Sequence, residues 1–307
     1  MPGTQELTRR IKSVKSTRKV TRAMQMVSAS KMRKAQNATL ASRTYSQLSW
    51  DLIRSLADKA PLEHPLLAAH DDAKKIGIVL VTTNRGLVGS FNANLLSMLR
   101  KTEREQAEVI TEIISIGRKG RDAAGRLHKP VIAAFDKSDA GQLIDDIYPV
   151  AKLITDQYKS GAYKAVYILF NDFVSTLLQK PTLKQLLPFS DVIPAEAGIQ
   201  NNGSVLDSGS RPYRDLSGMT SIDYQFEPDP KDVIEALIPR IVESQLYQAL
   251  LESDASEHSA RMIMMKNATD AAGDLIDDLT LTFNQIRQNK ITTELSEITA
   301  GKSALEK

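Results

Sequence analysis

From about Asp229 to Lys307 the apolar residues recur at helical spacing. Val233, Leu237 and Ile241 are four apart, as are Ile234, Ile238, Val242, Leu246 and Leu250. Leu275, Leu279, Phe283 and Ile286 continue the pattern, and Ile291, Leu295 and Ile298 resume it after a one-residue slip. The stripe stays in phase across Pro239, through Ile238 and Val242. The pattern therefore predicts one continuous helix, kinked at most, in which the Glu235 carbonyl lacks its usual partner. At helical rise such a helix runs roughly 110 Å, too long to bury its stripe on a compact domain. At the other end, Gln5 to Ala60 contains neither glycine nor proline. Leu7, Ile11 and Val14 form one apolar run there, and Tyr45, Leu48, Leu52 and Leu56 another. Both are predicted to bury against the C-terminal stripe as an antiparallel coiled coil. Two separate amphipathic helices on one globular core is the alternative, disfavoured by the helix length.

The middle of the chain changes period. After Pro61 and Pro65 comes Ile76–Thr82, an apolar run of the kind buried on both faces of a sheet. Asn92–Arg104 reads as a helix, Val109–Ile116 and Val131–Phe135 as strands, Pro149–Tyr158 as a helix and Ala165–Phe170 as a strand. This alternation predicts a doubly wound, Rossmann-like α/β domain. Phe173–Leu178 and Thr182–Phe189, split by Gln179-Lys180-Pro181, are expected as an edge hairpin. Ile199 to Ser221 is rich in Gly, Ser and Asn and is expected as a mobile loop, with Tyr224–Phe226 as a last short strand. The predicted division is thus a coiled-coil helix over 1-60, an α/β domain over 75-226 with its loop near 199-221, and a second coiled-coil helix over 229-307.

Composition narrows the function classes. The absence of cysteine excludes disulfides, thiolate metal sites and thiol switches. The longest apolar runs are too short to span a bilayer, and the N-terminus lacks the apolar core of a secretory signal. The net charge of +3 hides a division: residues 1–43 carry eleven Lys/Arg against one acid, and the remainder carries 29 bases against 36 acids. A basic helical arm beside an acidic body implies an acidic protein partner, an anionic membrane surface or nucleic acid. The arm lacks the interleaved aromatics and recognition motifs of nucleic-acid binders.

Catalytic chemistry finds little support. The turn Thr83-Asn-Arg-Gly-Leu-Val-Gly-Ser90 places two glycines before a helix, as an anion cradle would. It matches neither dinucleotide nor P-loop spacing and lacks the Lys-hydroxyl pair that holds phosphate and magnesium. Gly117-Arg-Lys-Gly120 reads as a second basic turn. The four histidines have no ligand spacing, and no nucleophile elbow or zincin pair is present. No catalytic, cofactor or metal residue is assigned.

The N-terminal run Ile11-Lys-Ser-Val-Lys-Ser-Thr-Arg-Lys-Val-Thr-Arg-Ala-Met-Gln-Met-Val-Ser-Ala-Ser-Lys-Met-Arg-Lys34 resembles the first helix of the gamma subunit of F-type ATP synthases. The segments Leu250–Met262, Met265–Asp270 and Phe283–Ile298 resemble the same family, and Asn84–Leu87, Phe91-Asn92, Gln179–Pro181 and Leu186–Pro188 fit its middle domain. Val88-Gly-Ser90 stands where members often carry small residues or a cysteine. The cysteine-bearing insertion of the chloroplast type is missing, so the thiol regulation of that branch is not implied. The resemblance implies a rotor whose paired helices turn inside a ring of alpha and beta subunits. Its foot would contact the epsilon subunit and the membrane c-ring, and the nucleotide chemistry would belong to the partners. It implies a non-catalytic subunit, peripheral to the membrane through its complex, on the cytoplasmic face in a bacterial-type enzyme. Carried over residue by residue, ring contacts fall on Met24, Lys31, Arg33, Lys34, Arg261, Arg287, Gln288, Thr292 and Glu294. Leu295 and Ile298 are expected to line the bearing, since the C-terminal helix outruns its partner and leaves their apolar faces uncovered. A nucleic-acid-associated coiled-coil protein is the alternative reading of the basic arm.

Overall fold

The computed structural model of the chain describes residues 4–57, 65–106, 109–138, 146–188 and 230–305. The expected loop at 199–221 and the strand at Tyr224–Phe226 lie outside them. Helix α1 spans Thr4–Ala57 and α5 spans Pro230–Leu305, 54 and 76 residues long. Pro239 lies inside α5 without ending it, as the unbroken stripe requires.

The two helices pair antiparallel. Thr21 and Thr269 share a hydroxyl–hydroxyl hydrogen bond of 2.7 Å, and further down Ser42 Oγ donates to Gln248 Oε1. On α1 the covered positions are Leu7, Ile11, Val14, Thr21, Ser28, Met32, Ala35, Thr39 and Ser42, at steps of three, four or seven. On α5 they are Met262, Met265, Thr269, Ala272, Ile276, Leu279, Phe283 and Ile286, in alternating threes and fours. This is the heptad repeat of about 3.5 residues per turn that keeps a seam facing its partner as the pair coils left-handedly.

The heptad corrects two expectations. Tyr45 and Leu48 are 59% and 62% exposed instead of buried, because the seam runs through Thr39 and Ser42 and these two fall on its flank. Leu275 is 46% exposed, and Ile276, at 7%, takes its place. A four-residue step drifts off a 3.5-residue seam, and the structure restores the phase one residue later.

Between the helices lies a five-stranded sheet of order β3-β2-β1-β4-β5. Strands β1 (Lys75–Val81), β2 (Ile110–Ile116), β3 (Val131–Phe135) and β4 (Ala165–Phe173) are parallel, and β5 (Gln179–Leu187) returns antiparallel on β4. Helices α2 (Phe91–Glu105), α3 (Arg118–Arg126) and α4 (Tyr148–Lys159) make the crossovers. Alternation along β1 builds both cores. Ile76, Ile78 and Leu80 pack with Phe91, Leu95 and Leu99 of α2, whereas Val79 and Val81 pack with Ile154 of α4 and with Ile241, Val242 and Leu246 of α5. The foot of the long helix is therefore part of the α/β domain's own core.

The hairpin differs from expectation. β4 runs on to Phe173, the connection is 174–178, and Lys180-Pro181 lies within β5 opposite Asn171 and Asp172. Proline is tolerated because β5 is an edge strand with one paired side. Gly117–Gly120 is also not a free turn: α3 begins at Arg118. Gly117 has φ of +97°, and a Cβ there would stand 2.4 Å from the Thr82 carbonyl oxygen, so the glycine admits the helix start against β1.

Candidate functional site

In a parallel sheet wound on both faces, ligands bind beyond the carboxyl ends of the strands. That edge is where the Thr83–Ser90 turn lies, and the chain fills it with its own groups. Thr82 and Thr83 are fully buried. Asn92 accepts from the Thr83 N–H and donates to its hydroxyl at 2.8 Å. The Asn84 carboxamide clamps three elements: its oxygen accepts from the N–H groups of Arg118 and Lys137, and its nitrogen donates to the Lys137 carbonyl at 2.6 Å. Donors at the start of α3 that an anion would use thus serve a side chain of the chain itself. Gly89, at φ of +59°, lies under α5, where an added Cβ would stand 3.0 Å from Met264 Sδ. The turn is a packing surface for α5.

Lys137, just beyond β3, completes this edge. Its side chain is 5% exposed, and its Nζ lies 2.5 Å from Asp254 and 3.0 Å from Glu257, both on α5. Arg261 pairs with the other Glu257 oxygen at 2.8 Å, so two cations face two carboxylates in a buried, neutral set. Burial alone would depress the Lys137 ammonium, but the two carboxylates outweigh it and hold its pKa above the ordinary lysine range. Burial would likewise raise Glu257, yet Lys137 and then Arg261 pull its carboxyl down to about 2. A second lysine reaches α5 from β5: Lys184 donates to Gln245 Oε1 at 2.6 Å. On the hairpin side Ser259 donates to the Thr176 carbonyl at 2.6 Å.

The residues singled out for ring contact spread along the shaft. Lys31, Arg33, Lys34, Arg287, Gln288, Thr292 and Glu294 are exposed, and Met24 is half-buried. Arg261 differs from the rest, since its guanidinium is engaged by Glu257 within the chain. Leu295 and Ile298 are 59% and 69% exposed. Continuing the register of the Thr21–Thr269 pair puts Leu7 opposite Phe283 and the start of α1 opposite Ile286. Beyond that, α5 extends alone for roughly 30 Å at helical rise.

Sequence reading missed Lys137, Asp254 and Glu257. Asp254 and Glu257, three apart within the small-residue run Ser253–Ala260, were the available signal. Among the described residues no helix is long and apolar enough to cross a membrane, and no cluster of His, Asp and Glu is placed to hold a metal ion. A cavity of about 450 Å³ opens at the opposite, amino edge of the sheet beside Arg104 and Lys164, away from every residue singled out above.

Comparison with known proteins gives one consistent family. The family model described as ATP synthase matches residues 3–305. An ATP synthase gamma chain of Roseiflexus castenholzii is 40% identical over 309 residues, covering 99% of each chain. One of Coxiella burnetii is 40% identical over 311 residues, covering all of each. Among solved structures, a chain of the Euglena gracilis mitochondrial ATP synthase (OSCP/F1/c-ring) superposes with a TM-score of 0.65 at 18% identity, over 98% of this chain and 94% of that one. A chain of the Tetrahymena thermophila central stalk and c-ring superposes with a TM-score of 0.56 at 22% identity, over 81% and 99%.

Proposed function

The chain belongs to the ATP synthase gamma-chain family, and on that premise we propose that it is the central-stalk rotor, passing rotation between the membrane c-ring and the catalytic sites of the alpha/beta ring. The observation that carries this reading is the shape of α5. Its lower part is embedded in the α/β domain, its middle is paired with α1, and its end projects alone with an apolar face exposed. A lone helix with uncovered Leu295 and Ile298 requires a sleeve, and an alpha/beta ring supplies one. Lys31, Arg33, Lys34, Arg287, Gln288, Thr292 and Glu294 are the polar contacts to that ring, with Met24 and Arg261 at the shoulder. We keep the division of the chain into 1-60, 75-226 and 229-307 as shaft, foot and shaft. The foot faces the epsilon subunit and the c-ring. In a bacterial-type enzyme it does so on the cytoplasmic side of the plasma membrane.

The subunit is non-catalytic on this reading. The crevice that would take a nucleotide holds the polar groups of Asn84, Asn92 and Lys137, with α5 packed on it. Membership of this family gives no support to the nucleic-acid reading of the basic arm. The test is reconstitution of the chain with alpha, beta and epsilon subunits and the membrane sector in vesicles. ATP addition is expected to acidify the vesicle lumen only when this chain is included, while the pure chain turns over no ATP. Pumping without the chain, or ATP turnover by the pure chain that a Gly89 substitution abolishes, would overturn the reading.

A further inference from the structure

We infer that Lys137, clamped between Asp254 and Glu257, is the angular pin that fixes the α/β domain to the shaft and carries torque between them. The inference rests on the rotor reading and adds a positioning residue to it.

The foot grips α5 in two ways. The lower grip is apolar, through Ile238, Ile241, Val242 and Leu246 against β1 and β4. Apolar burial is non-directional, so it holds the helix in place without strongly opposing a small rotation about its axis. The upper grip lies about two to three turns further along, where α5 leaves the sheet, and it is ionic. Asp254 and Glu257 are three apart and so share one face of the helix. A turn of the helix by a single residue, about 100°, would carry both carboxylates away from Lys137. Such a rotation would leave the buried Lys137 ammonium without either carboxylate, a strongly opposed outcome.

The anchor on the sheet side is equally firm. The Lys137 backbone is hydrogen-bonded through both N–H and carbonyl to Asn84, which also holds the start of α3. Force arriving at the lysine therefore reaches the ends of β1 and β3 directly. Arg261 neutralises the second Glu257 oxygen, so the cluster is charge-balanced without solvent. Lys184 on Gln245 braces the same helix from the opposite edge strand.

The experiment compares complexes assembled with wild-type chain, Lys137→Arg, Lys137→Met and the double variant Lys137→Met/Asp254→Asn. ATP hydrolysis and ATP-driven proton pumping are measured on the same vesicles. The double variant leaves Glu257 paired with Arg261 and orphans no carboxylate, so it isolates the pin from any folding defect of Lys137→Met alone. The expected result is hydrolysis retained with pumping per ATP lost in both methionine variants, and largely kept by Lys137→Arg. Wild-type pumping per ATP in either methionine variant would overturn the pin. Failure of both to assemble while Lys137→Arg assembles would also overturn it, because the cluster would then serve folding alone. If the wild-type chain itself supports no pumping, the rotor reading fails first.

Discussion

His258 sits on α5 between Glu257 and the Arg261 guanidinium, with its Nδ1 3.4 Å from Arg261. Burial, aided by Arg261, Lys137 and Lys31, pushes its imidazole down to about 4 even though Glu257 pulls it up. In the unfolded chain the same group titrates near pH 6.5. Between those values the unfolded chain takes up a proton that the fold refuses. Stability is therefore complete above about pH 6.5 and falls as the pH drops toward 4, by about 2 kcal/mol at pH 5. His258→Gln should keep its urea midpoint nearly constant from pH 7 to 5, while that of the wild-type chain declines. Parallel pH profiles for the two proteins would show that the imidazole is not shielded as described. The carboxylate beside it acts in a lower window: Glu257, held near 2, contributes stability that is lost only as the pH falls below its unfolded value of about 4.3.

At the scale of the element, the seam between α1 and α5 is decided by phase. Ile276 and Leu275 are adjacent, similar in size and both spaced like core residues, yet only Ile276 faces α1. Ile276→Ala should cost about 2–4 kcal/mol of stability, as buried aliphatic truncations do. Leu275→Ala should cost no more than about 0.5 kcal/mol, as for a surface site. Chemical denaturation of the two variants of the full chain decides this, and equal losses would mean that the helix pair is not in the heptad register. The seam also carries polar pairs. Thr21–Thr269 and Ser42–Gln248 fix the register through directional bonds, with small residues such as Ala35 and Ala255 allowing close approach.

In the whole molecule, the overhang of α5 separates shaft from bearing. Leu295 and Ile298 are exposed on their own chain and are proposed to meet the sleeve, so Leu295→Ala with Ile298→Ala should leave the thermal unfolding of the free subunit within about a degree or two of wild type. The same pair should weaken ATP-driven proton pumping of the assembled complex. A large loss of melting temperature with unchanged pumping would place the tip against its own chain. A bearing must also avoid a deep preference for one orientation. A contact worth about 5.5 kcal/mol in one position would move a two-state balance from 1:99 to 99:1 and stall the shaft. Apart from Leu295 and Ile298, the exposed residues proposed for the ring are accordingly polar and spread out, and the strong ionic contacts lie inside the subunit.

Much of this was legible in the chain alone. Periodicity is local, so the two long helices, the passage through Pro239, the alternating strands and the overhang at Ile291–Ile298 could be read from spacing. The motifs from Ile11–Lys34 to Phe283–Ile298 carried the family, because they record exposed side chains as well as side chains that face the fold. Tertiary structure alone decided the rest. A stripe at four-residue steps is compatible with several seams, and only pairing with the other helix chose Ile276 over Leu275 and passed over Tyr45 and Leu48. The glycine turn looked like an anion cradle until α5 was laid across it. Lys137 had no signal of its own: a lysine after a strand is ordinarily solvated. Its meaning came from two carboxylates more than a hundred residues away, which the fold brings within hydrogen-bond reach.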